Sequence, residues 1–479
     1  MGRLGRWPRA LMFASVALMA LAVGGPAQAA PFVYVTNELD NSVSMFRVEA
    51  DGRLTTLGSA SAPGRPRGIA VTPDGRSAYV ATTSGQLAQY DVATDGKLTP
   101  KTPPTVDAAF LATGIAVSPD GRSVYVAVDG ALVFQFDVGR GGALSFKDTR
   151  QGPSFAGPLG LTPDAKSAYV AAESLFQYDV AGGVFSPKAP ASILFPGNPA
   201  FSAFGLAVSP NGRSVYVSGG NIFNAGTVFQ YDVGAGGALT PKTPPSMGLL
   251  SVARRVAVSP DSRSVYAALD DSVAQLDADA RGVLTFKNPA FVPASFGPRG
   301  LAVSPDGKSL WVASTRDPAQ AGPVARFDVG SGGKLSRVGN DVAAGKAPFA
   351  LVVSPAVPTA GADVLTGTAR GDVICGRGGA DVIRGLQGND DLSGDRCGVR
   401  ASAARAKVRG GNDRVFGGRG SDRLSGGVGR DRLDGGPGRD TISTRGGGRD
   451  IVRCGTGRDL VRADQRDRIR GCERVRRPG

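Results

Sequence analysis

Histidine is absent from all 479 residues, and no cysteine occurs before Cys375. The first absence removes the commonest general base and the imidazole ligands that zinc sites favour. The second confines any disulfide or thiolate chemistry to the C-terminal quarter. Long apolar runs are scarce as well. Only 10–23 is continuously apolar, and it falls short of the roughly twenty residues needed to span a bilayer. Arg3, Arg6 and Arg9 precede it, and Ala27-Gln28-Ala29 follows with a small-x-small cleavage pattern. Residues 1–29 thus read as an export signal. The mature chain is expected to start near Ala30 and to be secreted, extracellular or at the cell surface, with no membrane span.

The formal charge is +14, unevenly spread: residues 360–479 hold 25 basic and 16 acidic side chains. A basic tail could attract an anionic polymer. Its arginines alternate with aspartates and lack interleaved aromatics, which points to cell-wall polymer or plain solubility rather than specific nucleic-acid recognition. The four cysteines, Cys375, Cys397, Cys454 and Cys472, are an even set in an exported chain and suggest disulfides in one of three connectivities. No C-x-x-C spacing supports a metal site. Local pairing, Cys375–Cys397 and Cys454–Cys472, is favoured because each bond would staple one end of the tail.

Residues 32–353 repeat at a period of ~46, each unit built as four short strands, as a propeller blade is. A strand, a Ser/Thr-Pro-Asp-Gly turn and a second strand ending in Tyr-Val recur, as in Gly68–Val80 and Gly114–Val126. Proline pre-sets φ at the second turn position while Asp and Gly close the reversal. A third strand reads Gln-Tyr-Asp-Val or a close variant (Gln89, Phe134, Phe176, Phe229), and a Gly-x-Leu turn leads to a fourth. The Tyr/Trp-Val strand occurs at Tyr34, Tyr79, Tyr125, Tyr169, Tyr216, Tyr266 and Trp311, which predicts seven blades. The chain enters on a lone second strand, 32–37, and leaves on a lone first strand, 349–355. Those two can complete one blade and close the ring.

From Gly361 onward an aspartate recurs about every nine residues, set in glycine and followed two positions later by an aliphatic side chain, as in a Ca²⁺-binding nonapeptide. Asp363, Asp372, Asp381 and Asp390 are nine apart, as are Asp413, Asp422, Asp431 and Asp440; Asp459 resumes the series. Glycines permit the turn and let carbonyls face a cation, while Leu424, Leu433 and Ile442 face inward from very short strands. Two nonapeptides make one coil, so Asp422 should lie over Asp440 and Asp413 over Asp431, sharing Ca²⁺ with turn carbonyls. The interval of 23 between Asp390 and Asp413 and the ten residues from Asp440 to Asp450 predict register slips.

These patterns resemble two families. Phe32-Val-Tyr-Val-Thr-Asn37 and the repeated Ser-Pro-Asp-Gly-Arg-Ser-Val-Tyr-Val resemble the YVTN-repeat, lactonase-like seven-bladed propellers, over residues 30–355. The glycine-aspartate tail, 356–479, resembles RTX, or haemolysin-type, calcium-binding repeats. The resemblance implies an all-β chain, a seven-bladed β-propeller plus a C-terminal parallel β-roll. It also admits sugar-lactone hydrolysis of the 6-phosphogluconolactonase kind. Lactone opening needs a base and oxyanion stabilisation, and Asp107 and Glu173 are the weak carboxylate candidates. Arginine is what the first strands carry: Arg67, Arg254, Arg255 and Arg299 stand at their entries, facing the channel and suited to a carboxylate or phosphate. A non-catalytic binding or surface protein with a calcium-ordered tail is the leading expectation, and an exported lactonase is the alternative.

Overall fold

The computed structural model describes residues 31–477 except 50, 109–110, 156, 198–200, 222–225, 355–363, 367–372, 377–379, 388–389, 395–410 and 446–447. The expected signal, Asp363, Asp372, Cys397 and the junction at 355/356 lie outside the described residues.

Seven four-stranded antiparallel sheets occupy residues 32–354. Six of them run outward in chain order from Pro66–Val71, Gly114–Val117, Leu159–Leu161, Ser202–Val208, Arg255–Val258 and Pro298–Val303. The first blade is composite. Pro348–Ser354 supplies its innermost strand and pairs with Phe32–Asn37, Val33 opposite Val353 and Val35 opposite Leu351. The ends of the propeller therefore close the ring as expected.

Second strands such as Phe32–Asn37, Ser77–Thr82 and Ser309–Ser314 are buried at every residue, because one face packs on each neighbouring blade. Tyr34 joins Val80 in one core cluster, while Val33 and Val35 join Trp311 in another. Hydrogen bonds reinforce this lateral packing. Tyr79 Oη donates to Gly142 O at 2.7 Å and Tyr216 Oη to Gly282 O at 2.7 Å, each a glycine turn of the next blade. Third-strand glutamines act in the same direction: Gln230 Nε2 donates to Pro244 O at 2.8 Å, and its Oε1 accepts from Leu284 N at 2.9 Å in the following blade.

Residues 364–476 form a roll of two six-stranded parallel sheets. One contains Val382–Gln387, Arg414–Arg419, Arg432–Pro437, Ile451–Thr456 and Arg468–Arg470; the other contains Asp391–Ser393, Arg423–Ser425, Thr441–Ser443 and Leu460–Arg462. The inward aliphatics Val415, Leu424, Leu433, Ile442, Val452 and Val461 make a single column of core. The expected register slips do not break this column. Val382 pairs with Arg414 and Asp391 with Arg423 across the long interval, and Arg432 pairs with Ile451 across the extra residue. Strand register is set by the buried aliphatic face, so the strands keep their pairing whatever the chain length between them. Cys454 and Cys472 are bonded, with Cα atoms 5.2 Å apart. Cys375 is also disulfide-bonded.

Candidate functional site

Two columns of carboxylates run along the roll, one at the entry to each sheet. In the first, the backbone N–H of Asp381 donates to Asp413 Oδ1 (2.8 Å), Asp413 to Asp431 (2.9 Å), Asp431 to Asp450 (2.8 Å) and Asp450 to Asp467 (3.0 Å). In the second, Asp390 donates to Asp422 (2.9 Å), Asp422 to Asp440 (2.9 Å), Asp440 to Asp459 (2.8 Å) and Asp459 to Glu473 Oε2 (2.8 Å). Asp422 thus stacks over Asp440 and Asp413 over Asp431. Asp450, Asp467 and Glu473 belong to the same columns, although strict nine-residue counting skips them. The usable signal was an acid directly before each short strand, whatever the spacing.

These aspartates are almost fully buried, at 0–1 % exposure from Asp381 to Asp459. One oxygen of each from Asp413 and Asp422 onward is used in the ladder. The Oδ2 atoms of Asp422, Asp440, Asp450 and Asp459 have no hydrogen-bond partner. Burial, with neighbouring carboxylates of the column adding, pushes the carboxyls of Asp440 and Asp450 up to about 7. Burial also raises those of Asp422 and Asp459. Such groups call for a proton or a cation.

The turns supply the other donors. Gly438 lies so close over Gly420 that a Cβ would sit 1.4 Å from the Gly420 carbonyl oxygen, and Gly457 over Gly438 gives 1.5 Å. Glycine is required there to let carbonyls face the next coil. Among the described residues no three metal-ligating side chains converge, so carbonyls would complete the shell of any ion. Unpartnered buried carboxylate oxygens plus stacked carbonyls fit Ca²⁺, which takes six to eight oxygen ligands. Asp422, Asp440, Asp450 and Asp459 are the residues that would hold it.

The propeller carries a different constellation. At the entries of the innermost strands, Arg67, Arg255 and Arg299 surround the Phe349 ring, with Cζ atoms 5.1, 5.4 and 5.8 Å from its centroid. Arg254 turns instead to Asp270, at 3.3 Å. Four other blades have glycine where Arg255 stands (Gly68, Gly114, Gly205, Gly300), and a Cβ at Gly68 would lie 2.4 Å from Thr113 O. Burial and the neighbouring Arg299 push the Arg255 guanidinium down to about 10. Burial, Arg254 and Arg67 lower that of Arg299 as well, with Glu38 opposing. Glu38 Oε1 accepts a hydrogen bond from Arg67 at 3.0 Å and is ion-paired with Arg65 at 3.0 Å. Positive charge is in excess at this mouth.

Phe349 and Glu38 were not singled out in the sequence; both depend on the closing strand bringing residue 349 beside residues 38 and 67. Of the two carboxylates that were, Asp107 ends an outermost strand, Leu98–Asp107, and Glu173 accepts from Ser154 N at 3.1 Å. Neither is among the residues at Phe349. Large apolar side chains stand exposed on the connections into the innermost strands: Leu111, Phe155, Leu194, Leu250 and Phe296 are 41–77 % exposed.

The chain matches known families in both parts. A model described as "Lactonase, 7-bladed beta-propeller" matches residues 27–110, and one for the RTX calcium-binding nonapeptide repeat matches 358–392 and 409–442 in four copies. The periplasmic gluconolactonase of Pseudomonas aeruginosa shares 19 % identity and a TM-score of 0.55, over 68 % of this chain and 99 % of that one. A functionally unknown protein from Desulfotomaculum acetoxidans shares 15 % identity and a TM-score of 0.55, over 67 % and 98 %. A protein from Lactobacillus plantarum gives 18 % and 0.55, over 68 % and 99 %. These structural likenesses show the fold alone. No curated protein matches the chain. In fold, then, it is a lactonase-type seven-bladed propeller followed by RTX repeats.

Proposed function

We propose that this is an exported calcium-binding protein, processed after residue 29, whose propeller captures an organic anion without transforming it. The observation that carries the reading is the convergence of Arg67, Arg255 and Arg299 on one aromatic ring. Three guanidiniums with burial working against two of them are relieved by a carboxylate or phosphate, which arginine binds bidentately. The exposed apolar side chains on the connections into the innermost strands suit an anion with a hydrophobic body. Calcium enters the roll at the Asp422, Asp440, Asp450 and Asp459 columns, where it would replace the protons that buried carboxyls otherwise retain.

Lactone hydrolysis is the second reading. Glu38 and Asp270 lie among the arginines, and the P. aeruginosa structure of similar fold is a gluconolactonase. Against it, Glu38 Oε1 is already engaged by two guanidiniums. Titration with 6-phosphogluconate, alongside turnover of its lactone, separates the two. We expect saturable binding, lost on Arg299→Ala, and no turnover above background. Turnover that disappears with Arg67→Ala or Glu38→Gln would establish the hydrolase. Absence of both binding and turnover would remove the anion site.

A further inference from the structure

We propose that the outer face of the roll sheet beginning at Val382–Gln387 is a docking strip for a linear acidic polysaccharide. In each x-U-x strand the middle residue points inward and its two neighbours outward: Arg414, Val415 and Phe416 are exposed, buried and exposed. Parallel in-register pairing then stacks the outer residues of successive coils into straight rows. One row contains Arg414 opposite Arg432, and the other contains Arg453 opposite Arg470. With Arg384 and Arg468, each of five consecutive strands places at least one exposed arginine on this face. Strands in a sheet lie ~4.8 Å apart, so like charges repeat at that spacing along the axis.

Acids are scarce at the outward positions of this sheet. None of the six arginines forms an ion pair among the described residues, and Asp434 is the one acid at an outward position of these strands. The sheet facing the other way is different. Its outward positions mix Arg423, Arg462, Arg474 and Arg476 with Asp391, Ser393, Ser425, Thr441 and Ser443, so two of its strands, Asp391–Ser393 and Thr441–Ser443, carry no arginine and its rows are interrupted. Guanidinium rows on a flat surface complement a chain that carries carboxylates at regular intervals.

Sugar rings also present C–H faces, and Phe416, 39 % exposed, with the half-buried Ile451 and Val382, offers shallow apolar patches between the arginines. Nucleic acid is less suited. Stacking platforms for successive bases need several aromatic rings, whereas Phe416 is the one aromatic on this face and lies under Arg384 at 5.8 Å.

The test uses the full mature chain in calcium with a short oligogalacturonide, too short to gel with the ion. Arms with a neutral galactan, inorganic polyphosphate and single-stranded oligonucleotide run beside it. We expect binding of the uronate alone among the saccharides, weakening with salt as screening grows. Arg414→Ser/Arg432→Ser/Arg453→Ser should lower affinity at least tenfold, and the matching lysine triple should recover only part of it. Arg423→Ser/Arg462→Ser on the opposite face should have little effect. Calcium-dependent circular dichroism of each variant separates loss of the strip from loss of fold. Equal loss from both faces, tighter binding of the oligonucleotide or polyphosphate, or no uronate binding by a folded chain would overturn the proposal.

Discussion

Buried charge is handled differently in the two parts of this chain. In the propeller, the ammonium groups of Lys101 and Lys287 are almost fully buried, and each meets an aspartate of its own blade and a backbone carbonyl of the next. Charge, hydrogen bond and blade contact are satisfied together, inside apolar clusters that run around the ring. In the roll, Asp422, Asp440, Asp450 and Asp459 bury carboxylates whose second oxygen meets no donor. Its hydrophobic core is one aliphatic residue per strand. The comparison teaches that between blades the propeller pairs its buried charges within the protein, whereas the roll has places for a cation. Glycine makes this sharper: residues 361–479 hold 28 of the chain's 70 glycines, and ordering glycine costs the most backbone entropy.

The largest expected effect comes from breaking the turn stack. Gly438→Ala places a methyl 1.4 Å from the Gly420 carbonyl at a φ of +157°, and should abolish calcium-ordered structure in the roll while leaving propeller melting unchanged. Calorimetry resolving two transitions would check this, and unaltered melting of both would contradict it.

A smaller effect is expected from pH. Asp440 and Asp450 titrate at about 7 when folded and near ~4 when unfolded. The folded roll therefore holds protons more tightly. Without calcium, the stability these groups contribute is full below pH ~4 and is lost as pH rises through about 7. Calcium must displace those protons, so its affinity should climb between pH ~6 and ~8. Melting in chelator at acid and neutral pH, beside calcium titrations at both, tests the sign; opposite trends would show that these carboxyls are not the groups concerned.

The smallest effect belongs to the propeller. Tyr216→Phe removes the hydrogen bond to Gly282 O and should cost about 1 kcal/mol, seen as a modest shift of the propeller transition alone. A shift in the roll transition would show that the two parts are coupled.

How much of this could be read beforehand differs between the parts. The blade count and its closure were legible because Tyr34, Trp311 and their equivalents are buried by the same lateral packing in every blade, so the same residue type returns. The ladder was legible from Asp381 to Asp440. It was lost at Asp450, Asp467 and Glu473, since turns of unequal length still deliver an acid to the same stacked position. The arginine mouth was half legible. Arg67, Arg255 and Arg299 could be named from strand position, but that position did not show that Arg254 turns to Asp270, and Phe349 and Glu38 come together only when the ring closes.

The measurement that bears most directly on this account is hydrogen exchange of the full mature chain, with calcium and with chelator, read separately over 32–354 and 364–476. The account predicts that calcium slows exchange in the roll by orders of magnitude and leaves the propeller unchanged. It also predicts that Asp422→Ala/Asp440→Ala loses most of that response. A roll already protected in chelator at neutral pH, or a double variant that responds like the parent chain, would contradict it.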